Sequence, residues 1–268
     1  MRENAQRAFE DLDRDLQLRR TDHPKLPTCN EGAKLTYLID HSARIYTFDP
    51  SSASPLTLKG TLSCPIAGSP FSMSIRHDGT AFVLFSRSSV SCAGLVRVDL
   101  TTLTCEPVPS FSCATGVGLF GMGYALSSSG VETLFISGRD TGKLATLDPE
   151  TGRVTLIGRL PARGVEPAGN PKGELWGFTP NPSATVLRLN STTGAGLQTF
   201  PLTIPVSTGG YKAWTFTENA RYFYIFYGEQ GANGSSVYRL TPDGKLSTFL
   251  AKTGIHFVGS GSAVCAGI

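Results

Sequence analysis

The chain has 268 residues, of which 17% are charged and 40% hydrophobic, and its formal net charge is +3. A chain of this length buries a substantial core without depending on metals or disulfides. Its composition is neither disordered nor collagen-like, and +3 without a clustered basic face argues against a nucleic-acid partner. No apolar run nears the ~20 residues that span a bilayer, so no transmembrane segment is expected.

Residues 1–22 read as a helix, because Ala5, Ala8, Phe9, Leu12 and Leu16 recur at helical spacing among alternating charges. Such a helix either lies on the rest of the chain, docks a partner or self-associates. The same stretch, MRENAQRAFEDLDRDLQLRR, is charged and has no apolar centre, so it does not read as a signal peptide. Residues 23–34, with Pro24, Pro27 and Gly32, read as a linker. The folded domain is then 35–268.

Within that domain one pattern recurs about every 40–50 residues. A short apolar strand precedes a second that ends in a turn residue, and a third strand follows. The turns open at Asp49, Asp99, Asp148, Asn190 and Thr241. Asp and Asn side chains bond backbone groups two residues on, which suits tight turns. Alternation in RIYTF and VTLIG indicates sheet.

Ahead of the last four repeats lie the small, Gly-rich segments FSMSI (71–75), FGMGY (120–124), VEPAG (165–169) and AWTFT (213–217). HFVGSGSAV (256–264) stands alone near the C-terminus. Small residues suit innermost strands whose backbones crowd around an axis. Five four-stranded units describe an all-β, five-bladed β-propeller. The first repeat lacks an inner strand and the C-terminal segment has no repeat of its own. The prediction is that Val258–Val264 pairs with Leu35–Ile39 and closes the ring, which also protects sheet edges.

Six cysteines are present, none in a Cys-x-x-Cys pair, so a zinc ribbon or thioredoxin-like site is disfavoured. An even count in a chain low in charge suggests disulfides and an oxidising compartment; the alternative is six reduced, buried thiols. Ring closure brings Cys29 and Cys265 together at the break in the first blade. A bridge over so long a loop contributes about 4–5 kcal/mol in the chain-entropy model. The register of the second blade suggests Cys92 with Cys113, leaving Cys64 with Cys105 among the roughly 15 connectivities that six cysteines allow.

The segments CPIAGSPFSMSIRHDGTAFVLF, GLFGMGYAL, VEPAGNPKGELWGF, KAWTFTENARYFYIFY and HFVGSGSAVCA together resemble uncharacterised bacterial proteins of a myxobacterial type. These are propeller-like and usually exported or lipid-anchored. The resemblance spans about residues 29–266. It implies extracytoplasmic residence (secreted, periplasmic or surface) and disulfides, and it carries no known activity.

Catalytic motifs are scarce. No G-x-S-x-G elbow, P-loop, HExxH or EF-hand loop occurs. His23, His41, His77 and His256 have no metal-ligand spacing, and no metal or cofactor is expected. His77-Asp78-Gly79 reads as a turn. A propeller glycosidase needs two carboxylates about 5–10 Å apart, whereas the inner strands offer Glu166, with Asp78 and Glu218 toward the opposite ends of theirs. The Phe-Thr-Gln-Gly motif of plant-type glutaminyl cyclases is absent.

The candidate ligand site is the axial mouth where the inner strands begin, gathering Arg163, Glu166, Tyr211, Lys212, Trp214 and His256. Aromatic rings supply contact area, and Arg and Lys bind oxyanions or sugar hydroxyls. The competing structural role packs Trp214 between blades and pairs Glu166 with Arg163 or Lys212. Trp176 and the run Tyr222–Tyr227 read as core. Three functions fit. The first is a non-catalytic binding or scaffolding propeller for a protein or glycan. The second is a hydrolase or cyclase using Glu166, with Lys212 or His256 as its partner. The third is a subunit of a surface assembly docked through residues 1–22.

Overall fold

Each repeat caps its own outer turn. Asp49 Oδ1 accepts the Ser51 amide at 2.9 Å, and Asp99 Oδ1 accepts Thr101 at 2.7 Å. Asp148 Oδ1 accepts Glu150 at 2.9 Å, and Asn190 Oδ1 accepts Thr192 at 2.9 Å. In the fifth repeat Thr241 Oγ1 accepts the Lys245 amide at 2.9 Å. These side chains satisfy turn amides that no strand partner reaches.

A computed structural model describes residues 27–88, 91–204 and 210–266, with the side chain of Tyr211 excepted. The helix expected at 1–22 and the first part of the 23–34 linker lie outside the described residues. Residues 27–34 hold Cys29 and a short 3-10 helix, Gly32–Lys34.

Among the described residues twenty strands form five four-stranded antiparallel sheets. The first blade contains β1 (Thr36–Asp40), β2 (Arg44–Phe48) and β3 (Leu56–Thr61). The second contains β4 (Ser69–Ile75), β5 (Ala81–Ser88), β6 (Ser91–Asp99) and β7 (Thr104–Pro107). The third contains β8 (Phe120–Leu126), β9 (Glu132–Gly138), β10 (Lys143–Leu147) and β11 (Val154–Arg159). The fourth contains β12 (Glu166–Gly169), β13 (Leu175–Thr179), β14 (Thr185–Leu189) and β15 (Gly196–Pro201). The fifth contains β16 (Tyr211–Asn219), β17 (Tyr222–Glu229), β18 (Ser236–Leu240) and β19 (Leu246–Leu250). The last strand, β20 (Phe257–Gly261), returns to the first blade and pairs with β1, Leu38 opposite Ser260 and Ile39 opposite Gly259. The chain is therefore an all-β, five-bladed propeller closed by its C-terminal strand.

The core lies between blades, because the inner strands of each sheet bury both faces while outer strands such as β3, β11 and β15 are largely exposed. Strand β17 shows this: Phe223, Ile225 and Tyr227 pack with Trp176 and Phe178 of the fourth blade, while Tyr224 and Phe226 pack with Tyr46 and Phe48 of the first. Burying each Phe ring contributes about 1.5–3 kcal/mol. Trp176 is 5% exposed, stacked beside Phe200 and against Phe223. Met73 and Met122 also turn into these inter-blade layers.

Around the axis the inner strands meet through small side chains. Ser72 Oγ and Ser74 Oγ each accept a backbone amide of β8, from Met122 and Tyr124, at 3.0 Å. Thr215 Oγ1 and Ser260 Oγ lie 2.8 Å apart across β16 and β20. Gly123 faces the Pro167 carbonyl so closely that any Cβ would collide with it.

Three disulfides join Cys29 to Cys265, Cys64 to Cys105 and Cys92 to Cys113. The first spans the ring closure. The second ties the loop after β3 to β7, beside a parallel bridge between Ser63 and Thr104. Cys113 lies beyond the end of β7, in the loop toward β8, so the third bridge is not the cross-strand pair that simple register counting implies. Three disulfides suggest an oxidising, extracytoplasmic environment. Among the described residues no helix is long and apolar enough to cross a membrane.

Candidate functional site

All inner strands run in the same direction, so their first residues gather at one end of the axis. The turns leading out of β1, β5, β9 and β13 reach the same end. A cavity of about 680 Å³ opens there, with lining from all five blades.

Three irregularities shape it. In β4, Pro70 faces Phe85 and Ser72 faces Leu84, which leaves Phe71 as an extra residue. In β16, Tyr211 faces Glu229 and Ala213 faces Gly228, which leaves Lys212 extra. In β20, Gly259 faces Ile39 and Phe257 faces Asp40, which leaves Val258 extra. A β-bulge re-aims its extra side chain, and Phe71, Lys212 and Val258 all line the cavity.

Glu166, the first residue of β12, contributes to the cavity wall and is 6% exposed. Gly121 of β8 makes room for it, since an added Cβ there would strike the carboxylate. Ser72 Oγ donates to Glu166 Oε1 at 2.6 Å. Burial pushes the carboxyl up to about 8, opposed by hydrogen bonds from Ser72 and the Met122 amide. No cation pairs with Glu166 among the described residues. The alternative of a Glu166 pair with Arg163 or Lys212 is therefore replaced by a hydroxyl partner.

Of the residues expected at the mouth, Arg163, Glu166, Lys212 and Trp214 share this cavity. Trp214 is half-buried, and its indole N–H donates to the Gly164 carbonyl at 3.2 Å. Tyr211 opens β16, but its side chain lies outside the described residues. His256 does not line the cavity. Its ring packs against Gly228 of β17, and its Nδ1 is buried without a hydrogen-bond partner among the described residues. Burial and nearby Lys212 lower its pKa.

The sequence reading missed His41, Phe71, Arg87, Arg139 and Asp140. His41 follows β1, and burial, Lys212 and His256 lower its pKa. Arg139 lies 5.7 Å over the Phe71 ring and pairs with Asp140 at 2.6 Å. That hydrogen bond holds Asp140 below the ordinary carboxylate range. Arg87, Arg163 and Lys212 are exposed and have no ion-pair partner among the described residues. Four cations thus face the Asp140 carboxylate, while burial pushes Glu166 toward its neutral form. Among the described residues no three of His, Cys, Asp and Glu gather where they could hold a metal.

No protein-family model and no curated protein matches the sequence. Solved structures share the fold. A chain of a nidogen/laminin complex aligns with TM-score 0.53 and 12% identity, over 84% of this chain and 97% of its own. An engineered GH43 glycoside hydrolase with endo-xylanase and exo-arabinofuranosidase activity aligns at 0.50 and 10%, over 66% of this chain and 40% of its own. A Bacteroides caccae protein of unknown function aligns at 0.47 and 10%, over 84% of each chain. At such identities the likeness defines a β-propeller, an architecture used by binding proteins and enzymes alike.

Proposed function

We propose that the protein is an extracytoplasmic, non-catalytic binding propeller that receives a polar ligand, part of a protein or a glycan, in its axial cavity. The observation that carries this reading is the trio of bulges, which turn Phe71, Lys212 and Val258 toward one space at one end of the wheel. A volume of about 680 Å³ falls within the ~300–1,000 Å³ range of small-ligand sites. The three disulfides support residence outside the cytoplasm, secreted, periplasmic or at the surface. The resemblance to exported bacterial proteins agrees with that placement. Probing a glycan and peptide array with wild type and Trp214→Ala tests the reading. The expected result is ligand capture by wild type that the variant loses; equal capture by both would remove the site.

One observation favours a second reading, a hydrolase acting through Glu166. The cavity holds a carboxyl raised to about 8, Glu166, and one kept ionised, Asp140. Two acids pushed in opposite directions are the requirement for acid and base roles. Release of reducing sugar from a polysaccharide panel, abolished in Glu166→Gln, would establish it. Binding without turnover would leave the first reading in place.

A further inference from the structure

We propose that the axial cavity selects an acidic saccharide, seating a ring-borne carboxylate or sulfate on Arg87, Arg163 and Lys212 and the sugar's apolar face on Trp214 and Phe71. This rests on the binding reading above and names its ligand class.

The charge distribution argues first. Arg87 ends the β5 side of the mouth, Arg163 precedes β12, and Lys212 is the bulged residue of β16. Three blades therefore contribute a cation each; among the described residues none of the three makes a direct ion pair, and the one carboxylate that acts on them, Asp140 near Arg163, is already bound to Arg139. Cations in excess of carboxylates, gathered in a concavity, attract anions and raise their local concentration. Two are guanidinium groups, whose planar forks match the oxygens of a carboxylate or sulfate.

Cavity size and lining argue second. About 680 Å³ is far larger than one inorganic anion requires and suits a ligand of one or two rings. Trp214 and Phe71 supply flat apolar area, on which the C–H face of a pyranose stacks. Ser69, Ser86 and Asn181 add hydroxyl and amide groups to the same wall, a chemistry that exchanges hydrogen bonds with sugar hydroxyls. An extended acidic peptide is less well matched. It would be held by an open sheet edge or a long groove, whereas this cavity lies at the axial mouth, where the inner strands are each covered by a neighbour.

Calorimetry on the oxidised protein in 150 mM salt tests this with three disaccharides that differ at one position: glucosyl, glucuronosyl and 6-sulfoglucosyl. Triglutamate serves as the acidic peptide. The expected result is at least tenfold tighter binding of one or both acidic sugars than of the neutral one, and the preferred acid distinguishes carboxylate from sulfate. Arg163→Glu and Lys212→Glu should each weaken that binding at least tenfold. Lys59→Glu, the same charge change on outer strand β3, should leave it within twofold. Equal binding of the neutral sugar overturns the inference and leaves the cavity as a binding site. Tighter binding of triglutamate, or equal weakening by Lys59→Glu, also overturns it. Failure of all four probes overturns the inference; it reaches the binding reading as well only if Trp214→Ala changes no ligand on the array.

Discussion

The two ends of the axis are made by the same five inner strands, and each holds a buried glutamate, yet they are built for different tasks. At the entry end, Glu166 sits in the wall of an open cavity with cations and aromatic rings around it. At the exit end, Glu218 is 4% exposed beneath the β16–β17 turn, where it accepts the Arg221 amide at 2.7 Å. Beside it a chain of polar groups fills the space. Asn219 Nδ2 donates to Thr36 Oγ1 at 2.8 Å, Thr36 Oγ1 meets Ser262 Oγ at 2.6 Å, and Thr217 Oγ1 donates to Ser262 Oγ at 2.9 Å. Cys265 follows β20 at this same end and is clamped to Cys29. The exit end secures the ring, and the entry end opens into the cavity for which ligand binding is proposed. The difference lies in how the polar groups are used: Asn219, Thr36, Thr217 and Ser262 at the exit end bond one another, while Arg87, Arg163 and Lys212 at the entry end are exposed around the cavity.

The largest effect that would sharpen this contrast is removal of the clamp. Cys29 and Cys265 enclose a loop with a sequence separation of 236. Replacing both by Ala should lower unfolding free energy by about 5 kcal/mol in the chain-entropy model, as read from urea denaturation. Trp176→Ala, in the inter-blade core, should cost about 3–5 kcal/mol. Lys212→Ala, exposed at the entry end, should change stability by less than about 0.5 kcal/mol while weakening ligand binding. A large stability loss from Lys212→Ala would erase the division of labour.

Next comes pH. Burial raises both Glu166 and Glu218 to about 8, whereas an unfolded glutamate titrates near about 4.3. Between those values the folded chain keeps protons that the unfolded chain has released. Stability is therefore greatest below the unfolded value, falls as pH rises toward about 8, and levels off above it. Glu166→Gln and Glu218→Gln should each flatten this fall in thermal melts between pH 5 and 9. On the acid side, burial works against Asp78, but hydrogen bonds from Arg76 and Thr80 bring it down to about 2. Its contribution is present above the unfolded aspartate value and is lost as pH drops toward about 2.

A modest gain is predicted at the turn that covers Glu218. Asn219 pairs with Tyr222, and the two residues between them, Ala220 and Arg221, have φ of 49° and 70°. A two-residue turn with both φ values positive favours Asn-Gly. Ala220→Asn with Arg221→Gly should raise stability by about 1 kcal/mol, because both positive-φ positions then hold residues that adopt that backbone at low cost, while ligand binding at the far end stays unchanged.

The wheel was legible because its signals are local. Turn-capping Asp or Asn residues mark four of the outer hairpins and Thr241 the fifth, and the small residues of FGMGY and HFVGSGSAV mark strands that must pass close to others. Ring closure followed from one repeat lacking an inner strand and one segment lacking a repeat. The cavity lining was legible only where it coincides with the entry of an inner strand, as at Arg163, Glu166, Lys212 and Trp214. His41, Arg139 and Asp140 come from turns leading out of second strands and Arg87 from the end of one, and these converge on the mouth only after all blades are assembled. The bulges at Phe71, Lys212 and Val258 shift register by one residue, and no alternation pattern announces such a shift. His256 was drawn to the mouth by its position before β20, but its ring turns toward Gly228.

The claim that matters most is that the entry end, and not the exit end, takes the ligand. Hydrogen exchange in the presence of saturating glucuronosyl disaccharide tests it most directly. The account predicts slower exchange in segments 69–72, 163–166 and 212–214, with no change at 36–38, 217–221 or 261–265. Protection confined to the second group, or spread over the outer strands, would contradict it.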